Sequence, residues 1–105
     1  IGGGEFGRTN YCQGKLSAKD FGRDHHPKCY SLWMAGGGIK GGMTYGETDE
    51  FGHSAVVDRV TPNDYQATVL RLFGINHQKL SFLYNGQSNT ITNNRPSRIL
   101  EKILT

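Results

Sequence analysis

Glycine limits what this chain can become. Fifteen of its 105 residues are glycine, eight of them clustered as Gly2-Gly3-Gly4, Gly36-Gly37-Gly38 and Gly41-Gly42. Each adds backbone freedom that folding must remove, and none supplies a side chain to bury. Hydrophobic residues other than glycine make up 35% of the chain, against roughly 45–50% in a typical domain when glycine is counted with them. The length suits one domain and is too short for two. The balance predicts a loop-rich fold with a modest core that needs a partner surface.

The formal charge is +3 and the isoelectric point about 9.0. Arg8, Lys15, Lys19, Arg23, Lys28 and Lys40 are interleaved with acidic residues rather than gathered into a stripe. That pattern predicts a solvated, mixed surface and argues against a nucleic-acid partner. No stretch approaches the ~18 apolar residues of a membrane span, and none of these residues reads as a signal peptide. Ile1 reads as the last residue of a strand cut off upstream, so the N-terminus is expected to be a truncation. Cys12 and Cys29 lie 17 residues apart. They are open to a disulfide, a share in a metal site or unpaired thiols, and one pair does not fix the compartment.

Residues 3–27 show no sustained period and read as a long irregular segment, the kind that is functional or disordered. Cys29 to Ala35, between Pro27 and the glycine run, reads as a buried strand, and Ala55 to Arg59 as a second. The clearest helix begins at Thr61. Its hydroxyl caps, Pro62 suits the first helical position, Asp64 suits the dipole, and Gly74 stops the helix. Tyr65, Val69, Leu72 and Phe73 give it one apolar face. Asn85-Gly86 between two apolar-to-polar runs (80–84 and 87–92) predicts a hairpin. Residues 96–104 predict a short terminal helix with Ile99, Leu100, Ile103 and Leu104 on one side. This order suits the end of an α/β protein, whose other strands are expected upstream.

Three segments invite a chemical reading. Gly36-Gly37-Gly38-Ile39-Lys40-Gly41 matches the dinucleotide spacing, but the mechanism needs a helix directly after it, and Met43-Thr44-Tyr45-Gly46 does not begin one. A flexible turn is the plainer account. In Arg23-Asp24-His25-His26-Pro27, adjacent histidines of an extended chain diverge, so one site uses one of them. A neutral imidazole is a good ligand for a divalent metal, and a neighbouring carboxylate orients it or binds the metal itself. Two surface histidines in a polar loop is the plain alternative. In Glu5-Phe6-Gly7-Arg8-Thr9, Glu5 is placed to ligate a metal and Arg8 to receive an anionic oxygen, if Ile1 ends a strand. A surface Arg–Glu pair on a turn accounts for them equally. His53 and His77 have no evident partners and receive no role.

Taken together, Gly4 to Thr9, Gly22 to Pro27 and Met34 to Gly41, followed by Val60 to Leu70 and Phe73-Gly74-Ile75, resemble consecutive signatures of one large bacterial family. It is a sulfatase-like family of the alkaline-phosphatase superfamily, catalogued as domain of unknown function number fifteen hundred and one. The resemblance covers nearly the whole chain. It implies an α/β fold in which residues 1–105 form the C-terminal part of a single sandwich, with a mixed sheet flanked by helices. It also implies hydrolysis of phosphate or sulfate esters with zinc, calcium or magnesium, since metals stabilise the charged transition state. By position, Glu5 and His25 correspond to metal ligands, with Asp24 and His26 beside them, and Arg8 and Arg23 face the substrate anion. Phe6 stands where many members have a ligating His. No nucleophile is carried over: it belongs to sequence upstream, and neither cysteine has the Cys-x-Pro-x-Arg setting. The resemblance implies a periplasmic or extracellular location and a small-molecule or glycan ester substrate. The fragment alone is expected to be inactive, and the alternative is a non-catalytic exported binding protein.

Overall fold

The computed structural model describes all residues from Ile1 to Thr105. The chain divides into two compact units, one of residues 1–35 and 44–59, the other of residues 36–43 and 60–105.

In the first unit, β1 (Gly2–Gly3), β2 (Gly7–Cys12), β3 (Arg23–His26), β4 (Leu32–Trp33), β5 (Glu47–Thr48) and β6 (Ala55–Val57) make three two-stranded antiparallel sheets, β1 with β4, β2 with β3 and β5 with β6. Only Thr9 and His26 are buried here, and both are polar. The strand expected at 29–35 shrinks to Leu32–Trp33, and both side chains stay exposed. Its partner is the glycine pair. A Cβ on Gly2 would sit 2.6 Å from the Trp33 indole nitrogen, so the missing side chain makes room for that ring. The strand expected at 55–59 forms over Ala55–Val57. Cys12 and Cys29 are unpaired thiols.

The second unit holds α1 (Pro62–Leu72) and the hairpin of β7 (Ser81–Tyr84) and β8 (Gln87–Thr90). Thr61 caps α1, and Asp64 returns the bond: its Oδ2 accepts the Thr61 N–H at 3.0 Å, and the Thr61 hydroxyl accepts the Asp64 N–H at 3.2 Å. This reciprocal box satisfies two donors that a helix start otherwise leaves open. Asn85 and Gly86 both have positive φ, as the tight hairpin turn requires. The buried stripe of α1 is Asp64, Ala67 and Thr68, one step round from the face formed by Tyr65, Val69 and Leu72. Phe73 lies beyond the helix and is 77% exposed.

The expected terminal helix is absent. Only Glu101–Ile103 coil, as a single 3-10 turn. The reason is local: the N–H of Arg98 donates to Asp64 Oδ1 at 2.9 Å, and the N–H of Leu100 donates to Thr68 Oγ1 at 3.0 Å. Donors two residues apart facing α1 hold the segment extended. Leu100 and Ile103, with Ala67, are the buried apolar residues, and Leu104 bridges to Ile39.

The expected helix-flanked mixed sheet is therefore not what this chain forms. Its sheets are four separate antiparallel pairs, and it has one helix. No strand exceeds six residues, and a parallel ladder would need a crossover that none of these links provides. The accessible surface is 8114 Å². By the usual size law, even two separate bodies of half the 11.6 kDa mass would expose only about 7,000 Å² together. The excess coincides with large apolar side chains left open, among them Trp33, Phe51, Phe82, Leu83 and Tyr84. No helix is long and apolar enough to cross a membrane.

Candidate functional site

The β2–β3 hairpin brings together two segments that the sequence separates by a loop. Its register pairs Gly7 with His26, Arg8 with His25 and Cys12 with Arg23, with an irregularity between the last two pairs. Gly7 is indispensable to this pairing, because any Cβ there would overlap the carbonyl oxygen of Cys29. Alternation along β3 then sorts its side chains onto two faces.

Arg8, Arg23 and His25 share the exposed face. Arg8 donates from Nη1 to the Arg23 carbonyl at 3.2 Å, which leaves most of its donors open. Neither arginine has a carboxylate partner. Phe6 meets the His25 ring edge-on, 6.2 Å between centroids. Glu5 is exposed just ahead of β2 and makes no hydrogen bond or ion pair.

Asp24 and His26 occupy the other face. Asp24 turns its carboxylate onto its neighbour, accepting the His25 N–H at 2.8 Å. His26 is buried, and its Nε2 lies 2.6 Å from the His53 carbonyl oxygen. A carbonyl only accepts, so Nε2 carries a proton. The two imidazoles stack with centroids 5.0 Å apart and planes 21° apart. His53 is held in turn by Asp49, whose carboxylate accepts the N–H groups of His53, Ser54 and Phe51 at 2.8, 3.0 and 3.2 Å. The backbone N–H of His53, with those of Ser54 and Phe51 and the His53 ring, holds the Asp49 carboxyl below its ordinary pKa against the opposing effect of burial. Asn10 closes the arrangement, donating to the Phe51 carbonyl at 2.7 Å. A cleft of about 330 Å³ lies against these residues, with Thr9, Tyr11 and Phe51 on its walls.

His53 thus has the partner that the sequence did not reveal. The contact spans 27 positions, and no local signal announces it. The turn that carries it is more legible, since an Asp before Phe51-Gly52 is a side chain that folds back on its own backbone. The predicted site is therefore divided. Arg8, Arg23 and His25 meet on one face, Glu5 stands at its edge, and Asp24 and His26 serve the opposite side.

The donor set does not make a complete metal centre. No three His, Cys, Asp or Glu side chains gather in the chain, and a closed zinc site takes about four ligands. Glu5 and His25 supply two exposed donors.

The family model for a protein of unknown function, DUF1501, matches residues 1–104, and the chain belongs to that family. Neither the curated proteins nor the solved structures contain a significant match.

Proposed function

We propose that this chain contributes the anion-facing part of a metal-dependent hydrolase of phosphate or sulfate esters, and that it is inactive alone. One observation carries the reading: Arg8, Arg23 and His25 share one exposed hairpin face, and neither arginine has a carboxylate to neutralise it. Guanidinium donors match the oxygens of phosphate and sulfate and form paired hydrogen bonds with them. The resemblance to sulfatase-like members of the alkaline-phosphatase superfamily supports the same substrate class.

In this reading Arg8 and Arg23 hold the ester's anionic oxygens. His25 and Glu5 would contribute to holding a divalent ion, with further ligands and the nucleophile from outside these 105 residues. When bound, such an ion would supply Lewis-acid stabilisation of the developing charge. His26, locked to the His53 carbonyl, would keep β3 rigid so that His25 presents outward. The open apolar side chains of both units would then be covered by the rest of the protein.

The test is hydrolysis of p-nitrophenyl phosphate and sulfate by a longer polypeptide carrying these residues, with and without chelator. Turnover that chelator abolishes, and that falls at least tenfold in Arg8→Ala or Arg23→Ala, is expected. Unchanged turnover in both variants would overturn the assignment. A non-catalytic binding role has one observation in its favour. Phe6 stands edge-on to His25 where many relatives of this kind have a His ligand. Absence of any metal-dependent turnover, with retained anion binding, would select it.

A further inference from the structure

The turn after α1 holds a feature that the hairpin chemistry does not use. His77 is over nine-tenths buried, yet its ring makes no hydrogen bond, and no polar side-chain atom in the chain is sealed away without a partner. Its ring nitrogens are therefore not sealed off, and His77 lines the space beside it. That space is a cleft of about 550 Å³ whose walls include Arg71, Ile75, His77, Ser97, Ile99 and Glu101. The turn is firmly built: Asn76 Oδ1 accepts the Gln78 N–H at 2.9 Å, and the Asn76 carbonyl accepts from Lys79 and Leu80. Neither Arg71 nor Glu101 forms an ion pair, although both line the same cleft.

We propose that this cleft binds an apolar α-amino acid. A cavity that presents one unpaired cation and one unpaired anion complements a ligand carrying both charges. Arg71 takes the carboxylate, with the His77 ring as an additional donor. Glu101 takes the ammonium. Ile75 and Ile99 supply an apolar wall for the side chain, and the volume lies within the range of small-ligand sites. A simple anion would meet the uncompensated Glu101. A metal ion would meet Arg71, with only His77 and Glu101 to ligate it. The proposal shares no residue with the hairpin face and stands or falls separately from it.

The experiment is an NMR titration of a longer polypeptide carrying these residues with L-leucine, beside its two halves, 4-methylpentanoate and 3-methylbutylamine. Saturable shifts are expected at the amides of residues 71, 75–78 and 97–101. Each half should bind at least about tenfold more weakly, as loss of one hydrogen-bonded charge implies. Arg71→Gln should weaken L-leucine by a similar factor while leaving 3-methylbutylamine unchanged, and Glu101→Gln should do the converse with 4-methylpentanoate. Both side chains are exposed, so the variants should keep the helical circular-dichroism signal of α1. No saturable shift with L-leucine overturns the proposal. So does 4-methylpentanoate binding as tightly as L-leucine, or L-leucine binding unaltered in both variants.

Discussion

Replacing Asp64 by alanine removes the side chain that joins the start of α1 to the C-terminal segment. Its Oδ2 accepts the Thr61 N–H and its Oδ1 the Arg98 N–H, at 3.0 and 2.9 Å. Arg98 Nε lies farther off at 3.6 Å, on a side chain 53% exposed, so that ion pair adds little. A hydrogen bond to a charged group contributes about 1.5–3 kcal/mol. Losing two of them, with some recovery by water, should cost about 3 kcal/mol. A chain of this length has roughly 5–15 kcal/mol in all. Thr61→Ala, which removes the other half of the box, should cost about 1 kcal/mol.

Urea unfolding followed by circular dichroism at the helical minimum measures both variants, and pH supplies a further check. Burial pushes the Asp64 carboxyl up, but the N–H groups of Thr61 and Arg98, the Thr61 hydroxyl and the Arg98 guanidinium outweigh it, so the folded pKa lies below the ordinary value. The stabilisation is therefore fully present above the unfolded value near ~3.9 and is lost as pH falls through the lower folded value. The gap between wild type and Asp64→Ala should narrow over that acid range. A variant within about 1 kcal/mol of wild type at pH 7, or a gap that does not change with pH, would refute the reasoning.

Gly7→Ala should destabilise by about 2–3 kcal/mol, because the new methyl meets backbone at Cys29 and an overpacked site without room to relax costs that much. Gly2→Ala, which meets only the exposed Trp33 ring, should cost under about 1 kcal/mol in the same unfolding assay. His26→Ala should free the 49–54 turn from β3, raising amide hydrogen exchange at His53 and Ser54 while leaving exchange within α1 unchanged. Equal protection in the variant would show that the histidine pair holds nothing.

α1 was legible because its signals are local: a capping Thr, a Pro at the first turn, an Asp three residues after the cap and a Gly stop. Asn85-Gly86 announced its hairpin for the same reason. The divergence of His25 and His26 followed from strand alternation alone. The terminal helix misled because Ile99, Leu100, Ile103 and Leu104 can bury against α1 without coiling, once Asp64 and Thr68 capture the alternate N–H groups. The α/β sandwich, implied by the resemblance and by the order of elements, misled because the strands pair only in twos, and Leu32 and Trp33 of the apolar run 29–35 lie open on a pair of glycines. His53 was invisible because a contact across 27 positions leaves no periodic trace. The same holds for His77, whose burial depends on a turn and not on a pattern.

The most direct test of the hairpin's role is a titration of the 105-residue chain with inorganic phosphate, read at the amides and side chains of Arg8, Arg23 and His25. The arrangement predicts saturable shifts confined to those residues and their neighbours, weakening as salt rises and at least tenfold weaker in the Arg8→Ala, Arg23→Ala double variant. Shifts absent from the hairpin, or undiminished in the double variant, would contradict it.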